Sequence, residues 1–270
     1  MSLRHPRKSR FEFPWWLLAL ALIGVVTLWA VLSDATYNQI FVTLSRGILT
    51  TLWVTFVAFT LACILGLLVA LARTSHNPIL RQVATFYTEL VRGIPVLVFL
   101  FYVAFVGAPW LVGSVNGLLD WLGIGWLPRM TVRDFDFTWR AILALTICYS
   151  SFIAEIFRAG IEAVDRGQVE AAKALGLSPW NTFRHIVAPQ ALRTILPPLG
   201  NDFVSMIKDS ALVSALGVQD ITQLGKVYSS GSFKFFETYN VVAFLYLIMT
   251  ISLSLLVRLL EKRLKQSERS

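Results

Sequence analysis

The sequence predicts an all-α, polytopic membrane protein with about six transmembrane helices. Three observations lead there. Hydrophobic residues make up 56% of the 270 and charged ones only 15%, too apolar a balance for an ordinary water-soluble domain. Uncharged runs of span length recur along the chain, divided by short segments that carry the charges, and a helix needs about 20 such residues to cross hydrocarbon. Most of the 24 Lys and Arg fall at the two ends and in alternate connections, the bias that marks cytoplasmic loops and places both termini inside. The formal charge of +8 is scattered rather than gathered into one basic face with stacking aromatics, which argues against nucleic acid as a partner.

In chain order, Arg4, Arg7, Lys8 and Arg10 precede the uncharged run 15–32. That run reads as a first transmembrane helix and not a cleaved signal, because no small-residue cleavage box follows and Trp15 and Trp16 suit an interfacial anchor. The run 47–72 sets Gly47, Thr51, Thr55, Ala58, Ala62, Gly66 and Ala70 on one helical face. A small-residue stripe lets a neighbouring backbone approach closely in lipid; the same face would also suit Thr51 and Thr55 as lining of a pathway. A short basic loop, 73–81, lies inside. Glu89 and Arg92 then stand at an i,i+3 spacing fit for an ion pair, and Gly93 and Pro95 interrupt the helix, as a hinge or gate or as a plain kink. The next run spans 93–112. From 107 to 138 the chain turns irregular and rich in Trp, expected as an external loop with one short amphipathic helix around 118–122. The fourth span, 139–154, continues into a charged cytoplasmic extension bearing Glu155, Arg158 and Glu162.

Between the fourth and fifth spans, 167–189 reads as a hairpin of two short helices. Glu170, Ala171 and Ala172 open the first, Gly176 suits a left-handed stop, Ser178 and Pro179 supply an N-cap and first turn for the second, and Pro189 is expected to end it. Trp180, Phe183 and Val187 make one apolar stripe along the second helix. The fifth span, 192–213, is anomalous: Asn201, Asp202, Ser205, Lys208 and Asp209 interrupt it. A central Asp or Lys facing lipid costs about 2.5 to 3.5 kcal/mol, so these groups must face protein or water, as a helix lining a polar route would arrange them. Either they line that route or they hold the bundle together. The last span, 241–257, leads to a basic tail. Cys63 and Cys148 sit in apolar runs, His5, His76 and His185 lack ligand spacing, and no phosphate-binding Gly-rich loop is present. No metal site and no ATP site are therefore expected in this chain.

The motifs carry a family resemblance. Glu170-Ala171-Ala172, then Gly176, Ile186 and Pro189, match in every spacing the EAA loop of ABC-importer permeases, with Ala188 standing where Leu is usual. GILTTLWVTF, FYTELVRGIP, CYSSFIAEIFRAGIEAV and PPLGNDFVSMIKDSAL resemble successive segments of the polar amino-acid permeases, with Ser151, Ala159 and Ser210-Ala211 as departures. The resemblance covers roughly 47–260. It implies a type I ABC-importer permease fold: an extra first helix within 1–46, a permease core over 47–260 with a coupling hairpin at 161–190, and a cytoplasmic tail over 261–270. It further implies a bacterial inner-membrane location, a second permease chain, a cytoplasmic ATPase dimer that binds ATP and Mg, and an extracytoplasmic amino-acid-binding protein. Glu170, Ala171, Ala172, Gly176, Ile186 and Pro189 would couple to the ATPase; Asn201, Asp202, Ser205, Lys208 and Asp209 would line the substrate pathway. An ion-coupled secondary transporter would use the same intramembrane Asp and Lys as a relay but has no need of the capped hairpin. An intramembrane enzyme is disfavoured, because no catalytic set falls in the spans.

Overall fold

The computed structural model describes residues 15–266. Arg4, Arg7, Lys8, Arg10 and the end of the tail at 267–270 lie outside the described residues, within which every regular element is helical. Helix α1 (Trp15–Ser33) is separated from α2 (Ala35–Arg73) by Asp34, whose carboxylate caps α2 by accepting from the Thr36 and Tyr37 amides. At 39 residues α2 is far longer than its uncharged stretch, and at 1.5 Å per residue it runs about 58 Å. All seven residues of its small stripe are buried. A Cβ on Gly66 would lie 3.0 Å from the Ser150 carbonyl oxygen, so the stripe is where α2 meets α6 (Phe137–Glu162).

Helix α3 (Pro78–Gly93), capped by Asn77, ends where Ile94 and Pro95 turn extended, at φ −100°, ψ 131° and φ −56°, ψ 136°. Then α4 (Val96–Tyr102), a π-turn (Val103–Gly107) and α5 (Ala108–Trp121) form one uninterrupted 26-residue helix. This corrects the expected break at 107. The predicted short helix at 118–122 is the end of this span, and only 122–136 is irregular. The hairpin follows as α7 (Arg166–Ala174) and α8 (Pro179–Thr182), but Pro189 does not terminate it: a second π-turn (Phe183–Val187) carries the chain straight into α9 (Ala188–Asp209). The two corrections share a cause. Each proline follows an alanine in helical conformation, and the turn before it is widened, with the Ala108 and Ala188 amides donating five residues back to Val103 and Phe183. A π-turn gives a proline ring the room that an ordinary α-turn denies it, at the cost of a bend. Pro197 and Pro198 likewise lie inside α9.

Beyond α9 a 3₁₀ segment (Ser210–Leu216) closes on Gly217 at φ 80°. Helix α10 (Ile221–Ser232), which the periodicity of the sequence did not disclose, packs against α2 before α11 (Phe235–Gln266) completes the chain. Among the described residues four helices are long and apolar enough to cross a membrane: α2, the α4–α5 unit, α6 and α11. Helix α1 adds a shorter apolar stretch, and the charged α9 packs between α6 and α11 in the same bundle, giving the six expected. The core lies around α6, 67% of whose apolar window is buried, against 22% to 33% in the other three.

Candidate coupling hairpin and polar fifth span

Asp165 caps α7 through the Gly167 amide, and the helix is closed by paired bonds from Gly176 N to Lys173 O at 3.0 Å and Leu177 N to Ala172 O at 3.1 Å. Gly176 sits at φ 78° in open space, where an L side chain would strain the backbone. Ser178 caps α8 through the Asn181 amide, with Pro179 in the first turn. The faces then divide. Ala172 is buried, and Gln190 Nε2 donates to Gln168 Oε1 at 2.6 Å, tying the start of α9 to α7. Val164, Ala191 and Ile195 form a small core with Val169 and Val187 that fixes the hairpin to α6 and α9. Glu170, Ala171 and Pro189 face outward, Ile186 is half-buried, and Trp180 (65% exposed) stacks on Phe183 (39% exposed) with ring centroids 6.1 Å apart. The result is a braced handle with an uncovered aromatic face.

On the fifth span, Asn201 and Lys208 are exposed while Asp202, Ser205 and Asp209 are half-buried. Tyr149 donates its hydroxyl to Asp209 Oδ2 at 2.7 Å. Asp202 Oδ2 is buried and has no hydrogen-bond partner, a costly condition for a carboxylate unless something completes it. Lys208 lines a groove of about 370 Å³ with Val204, Thr250 and Arg258. Thr51 and Thr55 are not on an open surface: both are fully buried, donating back to Gly47 O at 3.0 Å and Thr51 O at 2.8 Å, and Thr51 Oγ1 accepts from the Ile221 amide at 3.4 Å.

The expected Glu89–Arg92 pair is not formed. Glu89 is exposed; Arg92 turns to Glu155 at 3.5 Å and lies 5.4 Å over the Phe152 ring. Glu155 also takes Arg73 and, at 2.9 Å, Arg158, which in turn reaches Glu162 at 2.6 Å. Its place is therefore at a junction of α2, α3 and α6, where the sequence suggested only a charged extension of the fourth span. Only long-range pairing reveals this, since Arg73 and Glu155 are 82 positions apart. Asp220 was missed as well. It is wholly buried, caps α10 through Gln223 N at 2.8 Å and accepts from Tyr246 at 3.1 Å; burial pushes its carboxyl up to about 6 despite these bonds. In the 122–136 loop the opposite holds: hydrogen bonds from the Thr131 amide and hydroxyl hold Asp134 below the usual carboxylate range. No group of metal-ligating side chains occurs among the described residues.

Comparison with known proteins agrees with this geometry. Residues 62–266 match the family described as binding-protein-dependent transport system inner membrane component. The chain is 34% identical over 230 residues to the probable amino-acid permease protein YxeN of Bacillus subtilis, covering 85% of this chain and 95% of that one. It is 35% identical over 222 residues to the glutamine transport system permease protein GlnP of Escherichia coli K12, covering 82% and 93%. Among solved structures it resembles an amino acid ABC transporter crystallised with histidines, at TM-score 0.69 and 36% identity over 86% of this chain and 97% of that one. An inward-facing MetNI methionine ABC transporter, 20% identical with TM-score 0.61, shares the fold. A braced hairpin joined to a polar span, and a match over most of the length, lead to one conclusion: the chain belongs to the inner-membrane components of binding-protein-dependent transport systems.

Proposed function

We propose that this permease carries a polar amino acid, with Asp202 receiving the substrate's ammonium group and Asn201 and Ser205 adding hydrogen bonds. The chain is a multi-pass inner-membrane permease subunit of an ABC importer, and ATP hydrolysis falls to a separate subunit. The observation that carries the substrate reading is the buried, unpartnered Asp202 Oδ2; a bound ammonium would supply its missing donor. Relatives named for amino acids and glutamine support it. Lys208 and Asp209 continue the pathway, with Thr51 and Thr55 behind it. Glu89, Arg92, Gly93 and Pro95 serve as a hinge near its cytoplasmic mouth, where the chain turns extended between α3 and α4. The segment 161–190 of a 47–260 core is the handle: Glu170, Ala171, Ala172, Gly176, Ile186 and Pro189 shape it for a groove of the ATPase. Two permease chains, two ATPases and an extracytoplasmic binding protein complete the assembly, and both termini are cytoplasmic.

Reconstitution with an ATPase and binding protein encoded beside this chain tests the reading. ATP turnover should rise with one or a few polar amino acids, and Asp202→Asn should reduce uptake at least tenfold while the complex still assembles. Uptake by Asp202→Asn equal to the parent removes the assignment. Accumulation in vesicles without any ATPase returns the secondary-transporter reading.

A further inference from the structure

At the C-terminal ends of α2 and α6, a cleft of about 790 Å³ opens between the 74–77 turn with the start of α3 on one side and α7 on the other. Arg73, Arg81, Arg166 and Lys173 line it against Glu162 and Glu170. Arg73 is committed to Glu155 and Glu162 to Arg158. Among the described residues Arg81, Arg166 and Lys173 form no ion pair, so three uncompensated cations face one carboxylate across a space large enough for a small ligand. Such charges repel one another, and a doubly or singly charged anion between them relieves the repulsion. Val164, Val169 and Val187 give the cleft an apolar portion beside the charge.

A second observation fixes the level of this cleft. On α3, Ile79, Val83, Phe86 and Leu90 recur at steps of four, three and four and are 74%, 61%, 67% and 50% exposed. An apolar stripe of this kind on a short helix with a polar opposite face lies in the membrane interface with its apolar side toward acyl chains. Arg81 is on this same helix, two residues past Ile79 and so on the polar face opposite the stripe. The cleft therefore opens at headgroup depth on the cytoplasmic side, where basic pockets between membrane helices collect anionic headgroups.

The geometry points to a seat for the phosphate of an anionic phospholipid of the inner leaflet, held by Arg81, Arg166 and Lys173, with its glycerol against the valines. One wall of the seat is α7, the first arm of the hairpin, so an occupied cleft ties that arm to the membrane surface. The inference does not depend on which substrate is carried.

The test is native mass spectrometry of the purified full chain in detergent, titrated with phosphatidylglycerol, phosphatidylcholine or millimolar inorganic phosphate. Phosphatidylglycerol should bind tightly and saturably, phosphatidylcholine should not, and phosphate should compete weakly. Arg81→Gln, Arg166→Gln and Lys173→Gln, made singly and together, should weaken phosphatidylglycerol binding, at least tenfold in the triple variant; Lys262→Gln, another exposed cytoplasmic cation, should leave it unchanged. The single variants keep the test usable if the triple variant misfolds. Equal phosphatidylglycerol binding by parent and all three single variants overturns the seat. Phosphate binding as tightly as the lipid reassigns it to a soluble anion. If the variants bind lipid normally but lose association with the ATPase at low salt, the cations serve a protein surface instead.

Discussion

Gly47 shows how little space the α2 interface allows. A Cβ there would stand 2.5 Å from the Ile221 amide nitrogen and 2.7 Å from the Asp220 carbonyl carbon, backbone atoms that no rotamer change can clear. Gly47→Ala should therefore push α10 off α2 and lower stability by about 1 to 3 kcal/mol, read as a fall in the thermal unfolding midpoint of the purified chain. Gly113, with nothing within 4 Å of its Cβ position, should accept alanine and gain up to about 1 kcal/mol of helix propensity. Beside Gly47, Asp220 gives a pH signature. Its folded carboxyl, at about 6, lies above the reference value of 3.8, so the folded state holds the proton more tightly. Stability from this group is complete below 3.8 and is lost as pH rises through 6, a span of about 3 kcal/mol. Asp220→Asn, which keeps an acceptor for the Gln223 amide, should flatten the difference in unfolding midpoint between pH 4 and pH 7 that the parent shows; an unchanged difference would refute the assignment. The small stripe was legible because seven residues fell on one face at helical spacing. Asp220 was not, because one carboxylate in a polar stretch has no period, and only burial separates it from a solvated neighbour.

Among elements, the hairpin was the most readable, since its caps, its left-handed glycine and its aromatic stripe are all local chemistry. What escaped was its continuity with the fifth span. Proline in a helical pattern normally argues for an end, and the sequence carries no sign that a π-turn will absorb it; the same blindness shortened the third span at 107. The pairing of Arg92 was misread for a related reason: i,i+3 spacing is the only partner a local rule can propose, whereas Glu155 arrives from another helix. The exposed Trp180–Phe183 stack sets the prediction at this scale. Surface substitutions change folding stability by about 0.5 kcal/mol or less, while a buried aromatic anchor in an interface is worth 2 kcal/mol or more, roughly thirtyfold in affinity. Trp180→Ala should leave the unfolding of the isolated chain within that margin and weaken its association with the ATPase by about that factor, measured by co-purification across a concentration series. Equal association would move the contact off this face.

For the whole molecule, the alternation of charge and hydropathy was enough to give the six-span architecture, because positive residues at membrane boundaries are set by insertion and not by packing. It also gives a sidedness prediction. If both termini are inside as proposed, Leu175→Cys in the hairpin and Trp126→Cys in the 122–136 loop, at positions 83% and 82% exposed, should react oppositely with a membrane-impermeant maleimide. In intact spheroplasts the second should label and the first should not, until the membrane is opened; the reverse pattern would invert the topology. The helix that begins at Pro179 and continues through the π-turn to Asp209 spans 31 residues in one piece, about 46 Å at α-helical rise. On the proposed reading it is a crank with no bearing between its two throws. A swing of about 5° at the aromatic end shifts the carboxylate end by about 4 Å at that length, roughly the width of an ammonium group. If the hairpin couples as proposed, the only backlash such a crank permits is in the widened turn and at Pro197 and Pro198, and the stiffness of those few residues would set the timing between the nucleotide cycle and the opening of the route.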